Sequence, residues 1–235
     1  NGIRSIIENG NYSVLSSSSY SFEEVSSGIA PTISYGGFYP EAWHIVTALA
    51  SAITGVGAAV AENASLFSFL GVVFPVSTSL LMSRIFSERP IVLIGSLVTL
   101  AFSAFPWGFL TFGPLYSNLA AFALVPVAVC SIASVFSRSS CKNDRIRWTL
   151  SFLVACFALA VLQPNALFSI IVLAAPLCLA GLMASLQSIN MKRSRSLLVC
   201  ALSVLVLLLV WTAAWCLPSF RGTVTYPWPP FEGRL

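Results

Sequence analysis

Charge is nearly missing from this sequence. Only 9% of its 235 residues are Asp, Glu, Lys or Arg, and mean hydropathy is +0.88. A soluble domain carries about a quarter charged residues, so an ordinary water-soluble fold is excluded. Histidine occurs once, at His44, which leaves no Cys/His set of metal-site spacing. None of the six cysteines forms a CxxC pair. Cys130, Cys156, Cys178, Cys200 and Cys216 fall in or beside apolar runs, and Cys141 in a basic segment. They read as small apolar packers rather than disulfide partners. There is no Walker loop and no Rossmann glycine fingerprint. Gly55-Val56-Gly57 lies in an alanine-rich run with no strand before it, and reads as helix packing. The long apolar stretches hold no Asp, Glu, Lys or Arg. Each such residue costs on the order of 2.5–3.5 kcal/mol at mid-membrane and would mark an ion path. Proton-coupled transport is therefore disfavoured, while passive or lipid-substrate transport is not.

What is present is a pattern. A bilayer core about 30 Å thick takes roughly 20 helical residues. Six stretches qualify: Ala64–Ser83, Pro90–Pro106, Leu115–Phe136, Trp148–Leu162, Ala166–Leu186 and Ser196–Leu217. Every second connection between them is basic: Arg84 and Arg89, then Arg138, Lys142, Arg145 and Arg147, then Lys192, Arg193 and Arg195. The intervening connections carry no charge. Cytoplasmic loops retain Lys and Arg, so the alternation assigns both class and orientation. The expected fold is all-α, a polytopic transmembrane bundle in the plasma membrane. The net charge of +4 marks anionic headgroups rather than nucleic acid, since nine of the twelve basic residues sit in those loops. Pro75, Pro126 and Pro176 fall inside spans, where kinks are tolerated. Trp107, Trp148, Trp211 and Trp215 lie near span ends, as interface anchors do.

Three regions follow: an extracytoplasmic loop and outer-face helix (1–63), a six-span domain (64–217) and an extracytoplasmic tail (218–235). Both ends of the chain are expected outside, where six of the eight acidic residues also fall. Glu41–Val60 is long enough to span but rich in small residues. A helix lying on or dipping into the outer face fits the charge rule better than a seventh span. The chain opens at Asn1 rather than methionine and shows no signal peptide, so a fragment of a longer protein, cut at both ends, is expected.

The outer side gathers the polar and aromatic groups. Tyr35, Tyr39, Trp43 and His44 flank a Gly36-Gly37 turn and a Pro40 helix start. Further clusters hold Phe105, Trp107 and Phe109, then Tyr116 and Asn118, then Tyr226, Trp228 and Phe231. Aromatic faces with a few hydrogen-bonding groups above a membrane suit sugar rings on a lipid carrier. The same residues also make an interfacial belt with structural turns. His44 is a binding or bracing residue, or less plausibly a base. Glu62 and Asn63 sit where the outer helix meets the first span, able to meet sugar hydroxyls or a cation, or simply water. The candidate substrate-binding residues are Tyr39, Trp43, His44, Glu62, Asn63, Trp107, Tyr116 and Asn118, with Arg4 and Arg221 as candidate phosphate contacts.

Asn1 to Ser13, Phe38 to His44, Phe105 to Gly108, Gly113 to Asn118 and the run of spans together resemble an uncharacterised group of mainly actinobacterial multi-spanning membrane proteins. That group is related to the GT-C glycosyltransferases. The resemblance implies an enzyme that moves a sugar from a polyprenyl-phosphate donor to a cell-envelope glycan, lipid or protein, often with a divalent metal ion. It places the catalytic acid just upstream of Asn1, so no catalytic residue is assigned within the chain. Glu41 departs from the group's pattern, which has a small residue there. A lipid-linked glycan flippase or exporter, and a non-catalytic envelope-assembly scaffold, stay open beside the enzyme.

Overall fold

The computed structural model describes residues 2–13, 41–111, 115–137, 141–188 and 193–215, and every regular element among them is a helix. Residues 14–40, with the Gly36-Gly37 turn and Tyr39, and the tail from 216 onward lie outside the described residues.

The first helices form a small pair. Helix α1 (Gly2–Asn9) turns Ile3 and Ile6 inward against Ile45 and Ala48 of α2 (Ala42–Thr54), while Arg4 and Glu8 pair at 2.7 Å on its exposed side. With 13 residues, α2 is about 20 Å long, too short to cross a bilayer. It stops at Gly55, whose φ of +72° is left-handed. The Gly55 N–H donates to the Ser51 carbonyl at 2.9 Å, and the Ser51 hydroxyl donates to the Val56 carbonyl at 2.6 Å. Gly57 then caps α3 (Ala58–Ser68) in extended conformation. The Gly55–Gly57 segment is therefore a helix-reversing turn and not the packing surface read from sequence. A Cβ built on either glycine meets nothing within 4 Å. The left-handed backbone at Gly55 is what requires glycine. Gly55→Ala is expected to cost about 1–2 kcal/mol with no steric clash, seen as a lower thermal midpoint in detergent; an unchanged midpoint would reject this turn.

From Ala58 to Ile85 one apolar element runs 28 residues, through a π-turn (Phe69–Val73) into α4 (Phe74–Ile85). Pro75 explains the π-turn's position. Proline brings no N–H and crowds the carbonyl four residues back, so the ladder slips by one and the Phe74 N–H reaches Phe69. The Phe74 carbonyl is taken up by the hydroxyls of Ser77 and Thr78. Ser77 also donates to the Ala123 carbonyl at 2.6 Å, and the Cys130 thiol lies 3.6 Å from the Leu80 carbonyl. These two contacts stitch α4 to α7 (Tyr116–Val135).

Before α7 comes a broken element. Helix α5 (Arg89–Val98) runs through a 3₁₀ turn (Thr99–Ala101), opens at Phe102, and resumes as a π-turn (Ser103–Trp107) and α6 (Gly108–Thr111), with a 44° bend. The straight span expected over Pro90–Pro106 is thus bent. Pro106 holds Phe105 in extended conformation (φ −139°, ψ 128°), which interrupts the helix.

Helix α7 is the hub. Leu119, Ala120, Ala121, Ala123, Ala128 and Cys130 are wholly buried, and these small side chains let α4 and α8 (Lys142–Leu162) approach closely. Helices α9 (Asn165–Ser188) and α10 (Arg193–Trp215) follow. The chain divides into two compact units, Asn1–Ala174 and Ala175–Leu235, and the candidate site lies within the first.

The described basic residues of the expected loops lie on helix ends instead. Arg84 ends α4, Arg89 opens α5, Lys142, Arg145 and Arg147 open α8, and Arg193 and Arg195 open α10. A helix keeps its own backbone bonds past the hydrocarbon edge, while long cationic stems reach outward from it. Arg138 and Lys192 lie outside the described residues. Arg84 rests over the Trp148 ring, 4.7 Å from its centroid, which ties the end of α4 to α8.

Among the described residues four helices are long and apolar enough to cross a membrane: Ala58–Ile85, Tyr116–Val135, Lys142–Leu162 and Asn165–Ala184. The bent pair Arg89–Ala101 and Ser103–Thr111 makes a fifth if it crosses as one. Leu150, Leu153, Val154 and Phe157 of α8 stand exposed, as they do on a face turned to lipid. The fold is that of a multi-pass membrane protein. Five of the cysteines, Cys130, Cys141, Cys156, Cys178 and Cys200, carry free thiols.

Candidate functional site

The hairpin built on Gly55–Gly57 sets the site. Trp43 and Phe69 lie thirteen residues either side of Val56, so folding the chain there brings them level. Their rings meet edge-on at 5.5 Å, and Tyr116, on the first turn of α7, closes on Trp43 at 6.1 Å. Trp43 is 1% exposed. An indole enclosed on this scale has no face left for a sugar, so Trp43 positions its neighbours rather than stacking on substrate. Thr47, one turn on, is also fully buried. Neither the Trp43 Nε1 nor the Thr47 hydroxyl has a hydrogen-bond partner.

Glu41 precedes α2, and its carbonyl accepts the Ile45 N–H at 2.9 Å. It is 2% exposed, a carboxylate brought inside an apolar bundle. His44 is one turn away and half-buried. Burial pushes the His44 imidazole below its ordinary value, and the charge of Glu41 opposes this without overcoming it. The ring is therefore neutral at pH 7 and can both donate and accept a hydrogen bond.

The sign of the pH effect follows. On acidification below about 6.5 the unfolded chain takes the proton before the folded one does. Stability from this group is complete above about 6.5 and is lost as pH falls through the lower folded value. Thermal midpoints measured from roughly pH 8 to 5 should fall on the acid side, and His44→Asn should flatten the decline. An equally steep decline in the variant would assign the effect elsewhere.

Further along α4 and α7 stands an aromatic wall. Phe74 and Phe105 lie 4.8 Å apart, Phe105 and Phe109 5.5 Å, and Phe109 and Phe122 5.5 Å, joining α4, the bent pair and α7.

Among the residues expected at a site, the structure brings Trp43 and Tyr116 together with His44 beside them. Asn118 lies half-buried on the same first turn of α7. Trp107 is half-exposed, and its Nε1 donates to the Leu100 carbonyl at 2.7 Å, bracing the bend. Glu62 and Asn63 are not in a junction turn. They ride the second turn of α3, where the hairpin register sets Glu62 across from Ala50, two turns from Trp43. Arg4 is engaged by Glu8. Tyr39 and Arg221 lie outside the described residues. Sequence reasoning set Glu41 aside and missed Thr47 and Phe69. The equal spacing of Trp43 and Phe69 about Gly55-Val56-Gly57 was the available signal. Among the described residues no three His, Cys, Asp or Glu side chains converge. They therefore hold no three-ligand protein site for the divalent ion that the resemblance implies.

No curated protein and no solved structure matches the chain. One family does so over its whole length, residues 1–235. The chain belongs to that family, DUF6541, a family of unknown function.

Proposed function

We propose that the chain is part of a glycosyltransferase-like membrane protein of GT-C type, which moves a sugar from a polyprenyl-phosphate donor to a cell-envelope acceptor. One observation carries the reading: Glu41 and His44 sit together on the helix that packs through Trp43 onto an apolar bundle. A neutral imidazole is suited to sugar hydroxyls and, through its N–H, to the oxygens of a lipid-linked phosphate. The aromatic wall offers an apolar track for the carrier's first isoprene units.

Sidedness belongs to the same proposal. Phe69 lies fifteen residues before Arg84 on one continuous element, roughly 22 Å along its axis. With the arginine end in the cytosol, the Glu41 end faces outward. Six crossings, counting the bent pair and α10, then bring both chain ends to the outer face of the plasma membrane. The resemblance assigns the reaction's acid to neither residue, so the half-buried His44 meets the donor and the enclosed Glu41 acts through His44.

The test is transfer by full-length protein in vesicles supplied with radiolabelled polyprenyl-phosphate sugars. Label should move to a lipid or glycan acceptor. Folded protein that transfers from none of the donors would defeat the reading.

A further inference from the structure

At the opposite, arginine-bearing end, the last turn of α4 and the first turn of α5 enclose a groove of about 280 Å³. Its rim is polar, with Ser83, Ser87 and Arg89, and its floor is apolar, with Phe86, Val92 and Leu93. We propose that this groove binds an anionic phospholipid, phosphate at Arg89 and one acyl chain along α5.

The two arginines either side of the α4–α5 connection differ in kind. Arg84 is held over the Trp148 ring. Arg89 is exposed and has no acidic partner among the described residues; Glu88 beside it is exposed and makes no capping bond. Arg89 also opens α5, where the N–H groups of Arg89 and Ile91 have no acceptor within the helix and favour an anion. The Ser83 hydroxyl donates to the Leu80 carbonyl at 2.7 Å, so the Ser87 hydroxyl is the one placed to donate at the rim.

The floor says what the anion is attached to. Arg89, Leu93 and Leu97 recur every four residues and so lie along one stripe of α5. Leu93 is 62% and Leu97 61% exposed. A cation followed by two turns of uncovered leucine matches a headgroup followed by its hydrocarbon chain. Free phosphate would use the first and leave the second bare. A zwitterionic headgroup brings its own cation to Arg89, so the preference is for a net negative lipid.

Native mass spectrometry of the delipidated full protein, titrated with phosphatidylglycerol or phosphatidylcholine, reads this directly. Phosphatidylglycerol should be retained over phosphatidylcholine. Arg89→Gln should lower that retention about fivefold. Leu93→Trp, which fills the groove and keeps the charge, should lower it too. Arg195→Gln, a basic residue on another helix, should leave it unchanged. Full retention by Arg89→Gln, or an equal loss in Arg195→Gln, would overturn the site. Displacement of the lipid by millimolar inorganic phosphate would overturn the choice of ligand.

Discussion

Trp43→Ala is expected to detach the α1–α2 pair from the bundle, at a cost of about 3–5 kcal/mol. Trp43 is the largest wholly buried side chain described, and its ring bridges α2 to Phe69 on the π-turn and to Tyr116 on α7. Removing it opens a cavity at the junction of three elements. Apolar transfer contributes little between lipid-exposed helices, so the loss is mainly one of contact, which a void forfeits outright. Trp43→Phe should recover most of the stability, because the Nε1 atom it removes has no partner. Unfolding followed by denaturing detergent or heat would show a large shift for alanine and a small one for phenylalanine. Equal shifts would mean that the ring's bulk is not what holds the pair.

His44→Ala is expected to reduce sugar transfer about ten- to a hundredfold, provided the proposed activity holds. A hydrogen bond to a charged group contributes about 1.5–3 kcal/mol, and the donor's phosphate is such a group. His44 is only half-buried, so the fold should tolerate the change. Glu41→Gln gives the second readout. The Glu41 charge raises the His44 value against the effect of burial. Removing it should therefore move the acid limb of the pH–rate profile to lower pH. A purely structural Glu41 would alter rate or yield and leave that limb in place. Unchanged transfer in His44→Ala would remove His44 from the site.

The helices were largely legible in the sequence because long uncharged runs can satisfy their backbone in lipid only as helix. The starts of α7 and α9 fall within a residue of where hydropathy puts them. The start of α8 does not: the apolar run begins at Trp148 and the helix at Lys142. Hydropathy reports where lipid begins, and a helix begins wherever its first backbone bond can form. Gly55–Gly57 was ambiguous for a related reason. Glycine serves close packing and positive φ equally well, and only the three-dimensional path decides between them. The interruption at Phe105 depends on the conformation Pro106 imposes, which a hydropathy count does not see. At the candidate site, residue types pointed to Trp43, His44 and Tyr116. That the tryptophan is enclosed and the neighbouring carboxylate buried depends on Phe69 and α7, far away in sequence.

The π-turn at Phe69–Val73 has a consequence for how this element tolerates change over evolution. A helix with one residue more than its regular count rotates everything beyond that point by about 100°. The half that carries Phe69 toward Trp43 and the half that carries Ser77 toward Ala123 therefore keep separate angular settings. Substitutions on either half can be accommodated locally. A deletion of one residue between them cannot, because regularising the ladder would turn one partner surface away from its mate while leaving length and hydropathy almost untouched.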